Sequence, residues 1–292
     1  VRRLLAPFVL CIVLLFSEAQ AFTIAWLSDT QNYHNAYKPI FDGMTQWIAD
    51  NREALDIRFV FHTGDVVGSW KSEDQWRQAR ESMDILSGAS IPFLAACGNH
   101  DIGYRMNYAN FLKYVLSLRP ASMSQEYGDT GSRYELFSAN GRDYIFMGIA
   151  FSNKGPSEDE VNWINGVLRQ YSSRDAIIIT HSYLKKSASY TTQGKAIFEK
   201  IVKANPNVFL VLCGHCRDIS YKNVQLDDDG DGDPDRTVYA ILSNFQGSKA
   251  GGGGYMRILD FRDSDIYIYT YSPYYDSCEY PKGKTEATVP LP

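Results

Sequence analysis

The chain has 292 residues and a formal net charge of −5, with 34 acidic against 29 basic side chains. This acidic balance argues against a nucleic-acid backbone or an anionic membrane surface as the main partner. The length suits one large α/β domain or two small ones. Aromatic residues make up 14% of the chain and include 20 tyrosines, which favours a well-packed core and also fits exposed aromatic binding surfaces.

The first residues have the pattern of a targeting segment. Two arginines precede an almost unbroken apolar run over residues 4–16, and Ala19-Gln20-Ala21 offers a small-x-small cleavage site. These features predict a secretory signal peptide over residues 1–21, cleavage after Ala21 and a secreted or periplasmic mature protein. The run is shorter than the roughly 20 apolar residues of a membrane span. We therefore expect no stable membrane anchor after cleavage.

Strand and helix patterns alternate through the first two thirds of the chain. Short apolar runs predict strands at residues 22–27, 57–61, 91–96, 144–151, 176–179 and 208–212. Helical periodicity, with capping boxes at two of the starts, predicts helices at residues 39–52, 72–88, 157–171 and 193–204. This alternation implies βαβ units with parallel strands.

The last third changes character. Predicted strands at 237–245, 255–261 and 265–271 are joined by short loops, which indicates antiparallel β structure packed beside the parallel part. No internal repeat or long linker divides the chain. We therefore expect one domain over residues 22–275, followed by a loose C-terminal tail over residues 276–292.

Five of the apolar strands run directly into polar residues. In chain order these residues are Asp29, Gln31, Asp65, Asn99, His100, Asp101, His181 and His215. Ligands of α/β sheets bind beyond the carboxyl ends of the strands, so these groups should meet on one rim. Each residue alone could be a turn or a hydrogen-bonded structural side chain. Together, carboxylate, amide oxygen and imidazole form a metal-ligand set.

In this order, the residues resemble the calcineurin-like metallophosphoesterase superfamily. That superfamily carries Asp-x-His, Gly-Asp, Gly-Asn-His-Asp/Glu, a lone His and Gly-His-x-His. The block Gly98-Asn99-His100-Asp101 is the most specific match, and the resemblance spans roughly residues 22–271. It implies an α/β fold in which a two-sheet β-sandwich is flanked by helices, giving four α/β/β/α layers. It also implies divalent metal ions and a phosphoester substrate.

The resemblance also implies how the matched residues share two metal ions. Asp65 would bridge the two ions, and Asp29 would belong to the second. The first ion would be completed by Asn99, His181 and His215. Paired ions would neutralise the charge of the ester and lower the pKa of bound water, so that a metal-bound hydroxide attacks phosphorus.

A catalytic histidine follows from the same resemblance. His100 would face the substrate and protonate the departing oxygen as a general acid. Asp101 would orient the ring of His100. The other two histidines of the chain, His34 and His62, are expected to be structural or to lie on the rim, because they match no ligand position.

Two positions depart from the family pattern. Gln31 stands where the family usually has His, and Arg217 stands where the final His should be. We therefore expect one tight transition-metal site for Fe, Zn or Mn. The other site, with Asp29, Asp65 and the Gln31 amide oxygen, should be weaker and favour Mn²⁺, Mg²⁺ or Ca²⁺. Arg217 would either act in catalysis by contacting a phosphate oxygen or point to solvent.

The four cysteines of the predicted mature chain allow another interpretation. Cys213 and Cys216 form a Cys-x-x-Cys motif, which is typical of thiol oxidoreductases. Such motifs place the first cysteine at a helix N-terminus, whereas Cys213 closes an apolar strand. A structural or incidental disulfide is favoured over redox catalysis, and the pairing among the four cysteines stays open.

An acidic run at residues 227–235 predicts a second, weaker kind of metal site. Its spacing fits a calcium loop that uses Asp227, Asp229, Asp231 and Asp235, although the closing Glu of an EF-hand is missing. The other interpretation is a solvated acidic turn. A possible structural calcium is therefore added to the expected cofactors. The glycines at 251–254 predict a flexible hairpin or an active-site flap.

These features rank three functions. The first is a secreted, metal-dependent hydrolase of phosphate esters. The second is a non-catalytic metal- or phosphate-binding protein, because two ligand positions are altered. The third is a thiol oxidoreductase that acts through Cys213 and Cys216.

Overall fold

Two mixed β-sheets pack face to face in the computed structural model, which describes residues 21–118, 124–280 and 286–292. The predicted signal peptide lies outside these residues, apart from Ala21. Within the described residues, no helix is both long and apolar enough to pass through a bilayer.

Thirteen strands and six α-helices are found in the described chain. The strands are β1 Phe22–Leu27, β2 Ile57–His62, β3 Phe93–Ala95, β4 Ser124–Tyr127, β5 Ser132–Ala139, β6 Arg142–Ile149, β7 Asp175–Thr180, β8 Val208–Cys213, β9 Asp218–Leu226, β10 Arg236–Asn244, β11 Met256–Phe261, β12 Asp265–Tyr271 and β13 Ala287–Pro290. The helices are α1 Lys38–Asp50, α2 Glu73–Gly88, α3 Asn99–Ile102, α4 Ala109–Tyr114, α5 Glu158–Gln170 and α6 Thr192–Ile197, and a π-helical turn, Phe198–Val202, continues α6.

Each sheet combines a parallel centre with antiparallel edges. The first has the order β13-β12-β11-β1-β2-β3, with β1, β2 and β3 parallel. The second has the order β4-β5-β6-β7-β8-β10-β9, with β6, β7, β8 and β10 parallel. The polar motifs of the sequence begin at the carboxyl ends of these parallel strands.

Alternation along the strands creates three apolar layers. Phe22, Ile24 and Trp26 of β1 belong to the core between the sheets, together with Phe146 and Ile179 of the second sheet. The opposite face of the first sheet packs against α1 and α2, and that of the second packs against α5 and α6. Each large apolar side chain buried in this way stabilises the fold by roughly 1.5–3 kcal/mol. The predicted α/β/β/α sandwich is confirmed.

The expectation of a loose tail over residues 276–292 was wrong at its end. β13 pairs antiparallel with β12, and Val289 lies opposite Ile266. The side chain of Val289 is buried in the core between the sheets. Val289 anchors the segment as a strand, and Ala287 and Leu291 pack against the same core.

The antiparallel character expected for residues 237–245 is only half right. β10 runs antiparallel to β9 but parallel to β8. β9 was not predicted, because it is an edge strand whose residues are mostly half-buried or exposed. An edge strand of this kind lacks the apolar run that marks a buried one.

Candidate metal centre

Ligand atoms from both sheets converge at one edge of the sandwich. Asp65, His181 and His215 offer an oxygen or nitrogen atom each within 4.8 Å of one another. His181 Nε2 lies 3.3 Å from Asp65 Oδ2 and 3.1 Å from both Asn99 Oδ1 and His215 Nδ1. The four residues expected to hold the first metal ion are thus brought together.

The backbone at this edge is held in an unusual conformation. Asp29, Asp65 and His215 have φ values of 52°, 54° and 69°, in the left-handed region that non-glycine residues rarely adopt. Glycines allow these turns to approach one another, since a Cβ on Gly98 would lie 2.2 Å from Asp65 Oδ1 and one on Gly214 would lie 2.3 Å from Asp29 Oδ2. Such strain collects at functional sites, where the surrounding fold maintains it.

His181 is oriented so that its Nε2 faces the cluster. Its Nδ1 donates a hydrogen bond to the Thr63 carbonyl at 2.9 Å, which leaves Nε2 directed at the Asp65 and Asn99 oxygens. Lone pairs on these atoms repel one another unless a cation or a proton lies among them. Burial alone would lower the pKa of His181, but the Asp65 and Asp29 carboxylates raise it to about 9. Proton and metal therefore compete for Nε2.

The surroundings of Asp65 and His215 keep both in the form that binds a cation. Burial would raise the pKa of Asp65, but the His181 imidazole and the His100 N–H group, which donates to Oδ1 at 2.8 Å, lower it. Burial and, to a smaller extent, the nearby His181 lower the pKa of His215 to about 4. An ionised carboxylate and a neutral imidazole are the ligand forms that metals require.

The residues expected at the second metal are close by but already engaged. Asp29 accepts hydrogen bonds from the His215 N–H group at 3.1 Å and from Ser28 Oγ at 2.5 Å, and burial raises its pKa to about 7. Gln31 Nε2 donates to Asp65 Oδ2 at 3.1 Å. Gln31 Oε1 is buried and has no hydrogen-bond partner within the described chain. That oxygen fits an oxygen-ligated cation, although the rest of the second ligand set is incomplete.

His100 lies at the exposed side of the centre. Its Nδ1 donates to the Gly68 carbonyl oxygen at 2.9 Å. The expected role of Asp101 as the group that orients this ring was wrong. Asp101 instead accepts from the Val67 N–H at 3.0 Å and the Gly98 N–H at 2.8 Å, which joins the loops that follow β2 and β3. Its burial raises its pKa to about 7.

The remaining predicted residues take simpler positions. Arg217 is exposed, and its contact with a phosphate oxygen stays a prediction. His62 is buried, accepts from the Gly64 N–H at 3.1 Å and lies 3.0 Å from Thr30 Oγ1. Burial and the nearby His181 lower the pKa of His62 to about 3. It supports the turn before Asp65, as expected for a structural residue.

Sequence reasoning missed several groups that orient the ligands. The Thr63 carbonyl, the Ser28 hydroxyl and the Gly68 carbonyl lie beside the motifs but belong to no motif. Phe151 packs its ring 5.8 Å from His181 and 5.9 Å from His215. Backbone carbonyls leave no mark in a sequence, and a phenylalanine after a strand is common.

The cysteines are all free within the described chain. Cys213 is fully buried, and burial raises its pKa to about 12. Burial also raises the pKa of Cys216. Since a thiolate is the reactive form, these surroundings oppose the redox interpretation.

The acidic loop is exposed and stabilised by its own backbone. Oxygens of Asp227, Asp229 and Asp231 lie within 4.8 Å of one another. The Asp227 carboxylate accepts from the Gly230 and Gly232 N–H groups at 2.6 and 2.9 Å, and these bonds lower its pKa. Asp235 accepts from Asp228 N–H at 2.6 Å, closing the turn. Calcium binding by this loop stays a prediction.

Comparison with known proteins agrees with this geometry. Residues 22–216 match the calcineurin-like phosphoesterase family. The chain is 41% identical over 259 residues to YvnB of Bacillus subtilis, covering 87% of this chain but only 20% of that protein. The chain thus spans about a fifth of the length of this curated relative.

Solved structures share the fold at low sequence identity. A dimetal phosphatase from Danio rerio is 13% identical with a TM-score of 0.62, covering 92% of this chain and 98% of that one. GAP50, the anchor in the inner membrane complex of Plasmodium, is 14% identical with a TM-score of 0.60, covering 93% and 89%. Purple acid phosphatase from yellow lupin seeds is 12% identical with a TM-score of 0.58, covering 94% and 55%.

Fold and site together define a two-sheet sandwich that carries a metal-ligand cluster at the carboxyl ends of its strands. The chain belongs to the calcineurin-like phosphoesterase family, as the match over residues 22–216 shows.

Proposed function

We propose that this protein hydrolyses phosphate esters with a bound divalent cation. The observation that supports this most is the convergence of Asp65, Asn99, His181 and His215 beside the exposed His100. The four donors include a carboxylate, an amide oxygen and two imidazoles, which suits a transition metal such as Mn²⁺, Fe or Zn²⁺. A cation bound there supplies charge neutralisation at the phosphate and a lowered pKa for water.

The protein's own groups would then position the substrate and move a proton. The main-chain N–H of His100 donates a hydrogen bond to Asp65. The proposed general acid and the metal ligand are therefore held next to each other. Because His100 Nδ1 already donates to the Gly68 carbonyl, only Nε2 is left to transfer a proton to the departing oxygen. Arg217, in this proposal, contacts a phosphate oxygen during the reaction.

Chelation and reconstitution test the proposal. Protein treated with EDTA should lose hydrolysis of p-nitrophenyl phosphate and of bis-p-nitrophenyl phosphate, and Mn²⁺ should restore it. Absence of turnover with every divalent ion would favour the second candidate, a non-catalytic metal- or phosphate-binding protein. The altered residues Gln31 and Arg217 support that candidate, and GAP50, described as an anchor, shares the fold.

Metal stoichiometry should reveal the incomplete second site. We expect one tightly held ion after desalting, because Gln31 and Arg217 stand in place of two imidazole ligands and Gln31 Nε2 donates to Asp65 Oδ2. Combining Gln31→His with Arg217→His should raise the retained metal toward two ions per chain. Native mass spectrometry and elemental analysis measure this, with the Gln31→His/Arg77→His variant as control, since Arg77 is exposed on α2. Two tight ions in the unaltered protein would contradict the expectation.

A further inference from the structure

Exposed tyrosines cluster around one glycine-rich turn. Within the described chain, four large hydrophobic side chains are strongly exposed: Tyr37 at 45%, Tyr104 at 74%, Tyr274 at 54% and Tyr275 at 44%. Three of them pack on residues 251–254. A Cβ at Gly251 would lie 3.6 Å from Tyr37, one at Gly254 would lie 3.0 Å from Tyr274, and one at Gly253 would lie 2.6 Å from Tyr275.

Strand pairing places this turn at the edge of the sandwich that carries the metal centre. β11 runs antiparallel to β1, and Arg257 lies opposite Trp26. The turn that precedes β11 therefore lies beside the residues that follow β1, including Asp29. β12 ends at the same edge, because Tyr271 lies opposite Met256. Tyr274 and Tyr275, which follow β12, therefore lie at this edge too.

Two asparagines connect the turn to the candidate ligands. Asn32 Nδ2 donates to the carbonyl oxygens of Gly251 at 3.4 Å and Gln246 at 3.5 Å, while its neighbour Gln31 donates to Asp65. Asn244 Nδ2 donates to the His215 carbonyl at 3.0 Å. The turn on which the three tyrosines pack is therefore linked to Asp65 through the consecutive residues Gln31 and Asn32.

The turn, whose glycines predicted a flexible hairpin or an active-site flap, is held by hydrogen bonds to neighbouring side chains. Residues 250–254 all have positive φ, and Gly254 N–H donates to Tyr33 Oη at 2.9 Å. Ser272 Oγ donates to the Gly253 carbonyl at 2.6 Å. A Cβ at Gly252 would lie 2.4 Å from Tyr33 Oη, so glycine is needed for the tyrosine to pack there. The four glycines thus serve close packing of aromatic rings.

We propose that Tyr37, Tyr274 and Tyr275 form a subsite for the organic group of the phosphoester, and that this group carries a ring with a flat apolar face. The inference rests on the proposed function, because it assumes that phosphate binds at the metal centre. Tyrosine offers a rigid apolar face and a polar tip, which suits a sugar or an aryl ring. An acyclic group would cover less of the exposed surface of these rings.

Phosphonates test this without any turnover. Phenylphosphonate should bind the metal-loaded protein about three- to tenfold more tightly than methylphosphonate by isothermal titration calorimetry. Tyr275→Ala and Tyr37→Ala should each reduce this preference and leave methylphosphonate binding unchanged. Tyr275→Phe keeps the ring and should retain the preference. Cyclohexylphosphonate distinguishes the two ring types, because an aryl subsite prefers phenyl whereas a sugar subsite accepts the saturated ring equally well.

Tyr267 provides a matched control for the tyrosine substitutions. Tyr267 lies on β12 near the opposite end of that strand, so Tyr267→Ala should leave every affinity unchanged. Equal binding of phenyl- and methylphosphonate by the unaltered protein would overturn the subsite. So would an equal loss of both in Tyr275→Ala, with folding checked by circular dichroism. If the protein preferred ring phosphonates but hydrolysed no ester, the proposed enzyme function alone would be contradicted. If it hydrolysed esters but showed no preference for a ring, the subsite alone would be contradicted.

Discussion

Replacing His181 with asparagine is expected to abolish tight metal binding and to leave the fold intact. The asparagine amide can still donate to the Thr63 carbonyl, as His181 Nδ1 does at 2.9 Å. It cannot supply Nε2, the atom that faces Asp65 Oδ2 and Asn99 Oδ1. Removing a residue that only supports a metal ligand typically weakens metal affinity by about 10- to 100-fold. Removing a ligand itself should therefore weaken metal affinity by more than about 100-fold.

Metal content after gel filtration and a competitive chelator titration measure this loss, and activity should fall with occupancy. His62→Asn is the matched control, because His62 is equally buried but bonds to Thr30 and Gly64. The control should lower the free energy of unfolding yet keep the metal. If the His181 variant retained stoichiometric metal with unchanged affinity, the ligand cluster would not be the metal centre.

Much of the site was accessible from the sequence because its chemistry is concentrated where strands end. An apolar run followed by Gly-Asp or Gly-Asn-His indicates both a buried strand and a polar group at its carboxyl end. The parallel pairing of β1, β2 and β3 then requires the polar groups to lie side by side. The same logic applies to His181 and His215 after β7 and β8. That the strands divide into two packed sheets came from the family resemblance, because no single sequence pattern indicates it.

The failures share a physical origin in groups that carry no sequence signal. Asp101 stabilises loops through the main-chain N–H groups of Val67 and Gly98, and a backbone carbonyl, that of Gly68, orients His100. Main-chain donors and acceptors are the same at every residue, so only the fold reveals which of them meet. β13 was missed because it has four residues and Val289 alone among them is buried, which is too little for a periodic pattern.

The left-handed conformations of Asp29, Asp65 and His215 link fold and function. Each residue lies two or three positions after the end of a strand, where the chain leaves the sheet. The cost of such a backbone is on the order of 1–3 kcal/mol per residue, and the packing of the strands must offset it. Binding of a cation by the side chains would stabilise the same turns, so metal should raise the melting temperature of the protein.

Replacing His100 with asparagine should slow turnover without loss of metal. The asparagine amide can replace Nδ1 as donor to the Gly68 carbonyl, and the main-chain N–H that binds Asp65 is unaltered. The variant lacks Nε2, the atom proposed to protonate the leaving oxygen. For an alkyl phosphate, whose leaving group needs this proton, we expect kcat to fall about 10²- to 10⁴-fold.

The dependence on the leaving group separates proton transfer from a general disturbance of the site. p-Nitrophenolate leaves readily without a proton, so kcat for p-nitrophenyl phosphate should fall much less than kcat for the alkyl ester. His34→Asn serves as control, because His34 is half-buried, its Nε2 would lie 4.0 Å from a Cβ on Gly68, and its Nδ1 is engaged with the Asn35 side chain. An equal fall for both esters, or loss of metal from the His100 variant, would assign His100 a structural role. If the His34 variant instead lost activity toward the alkyl ester alone, His34 would be identified as the general acid.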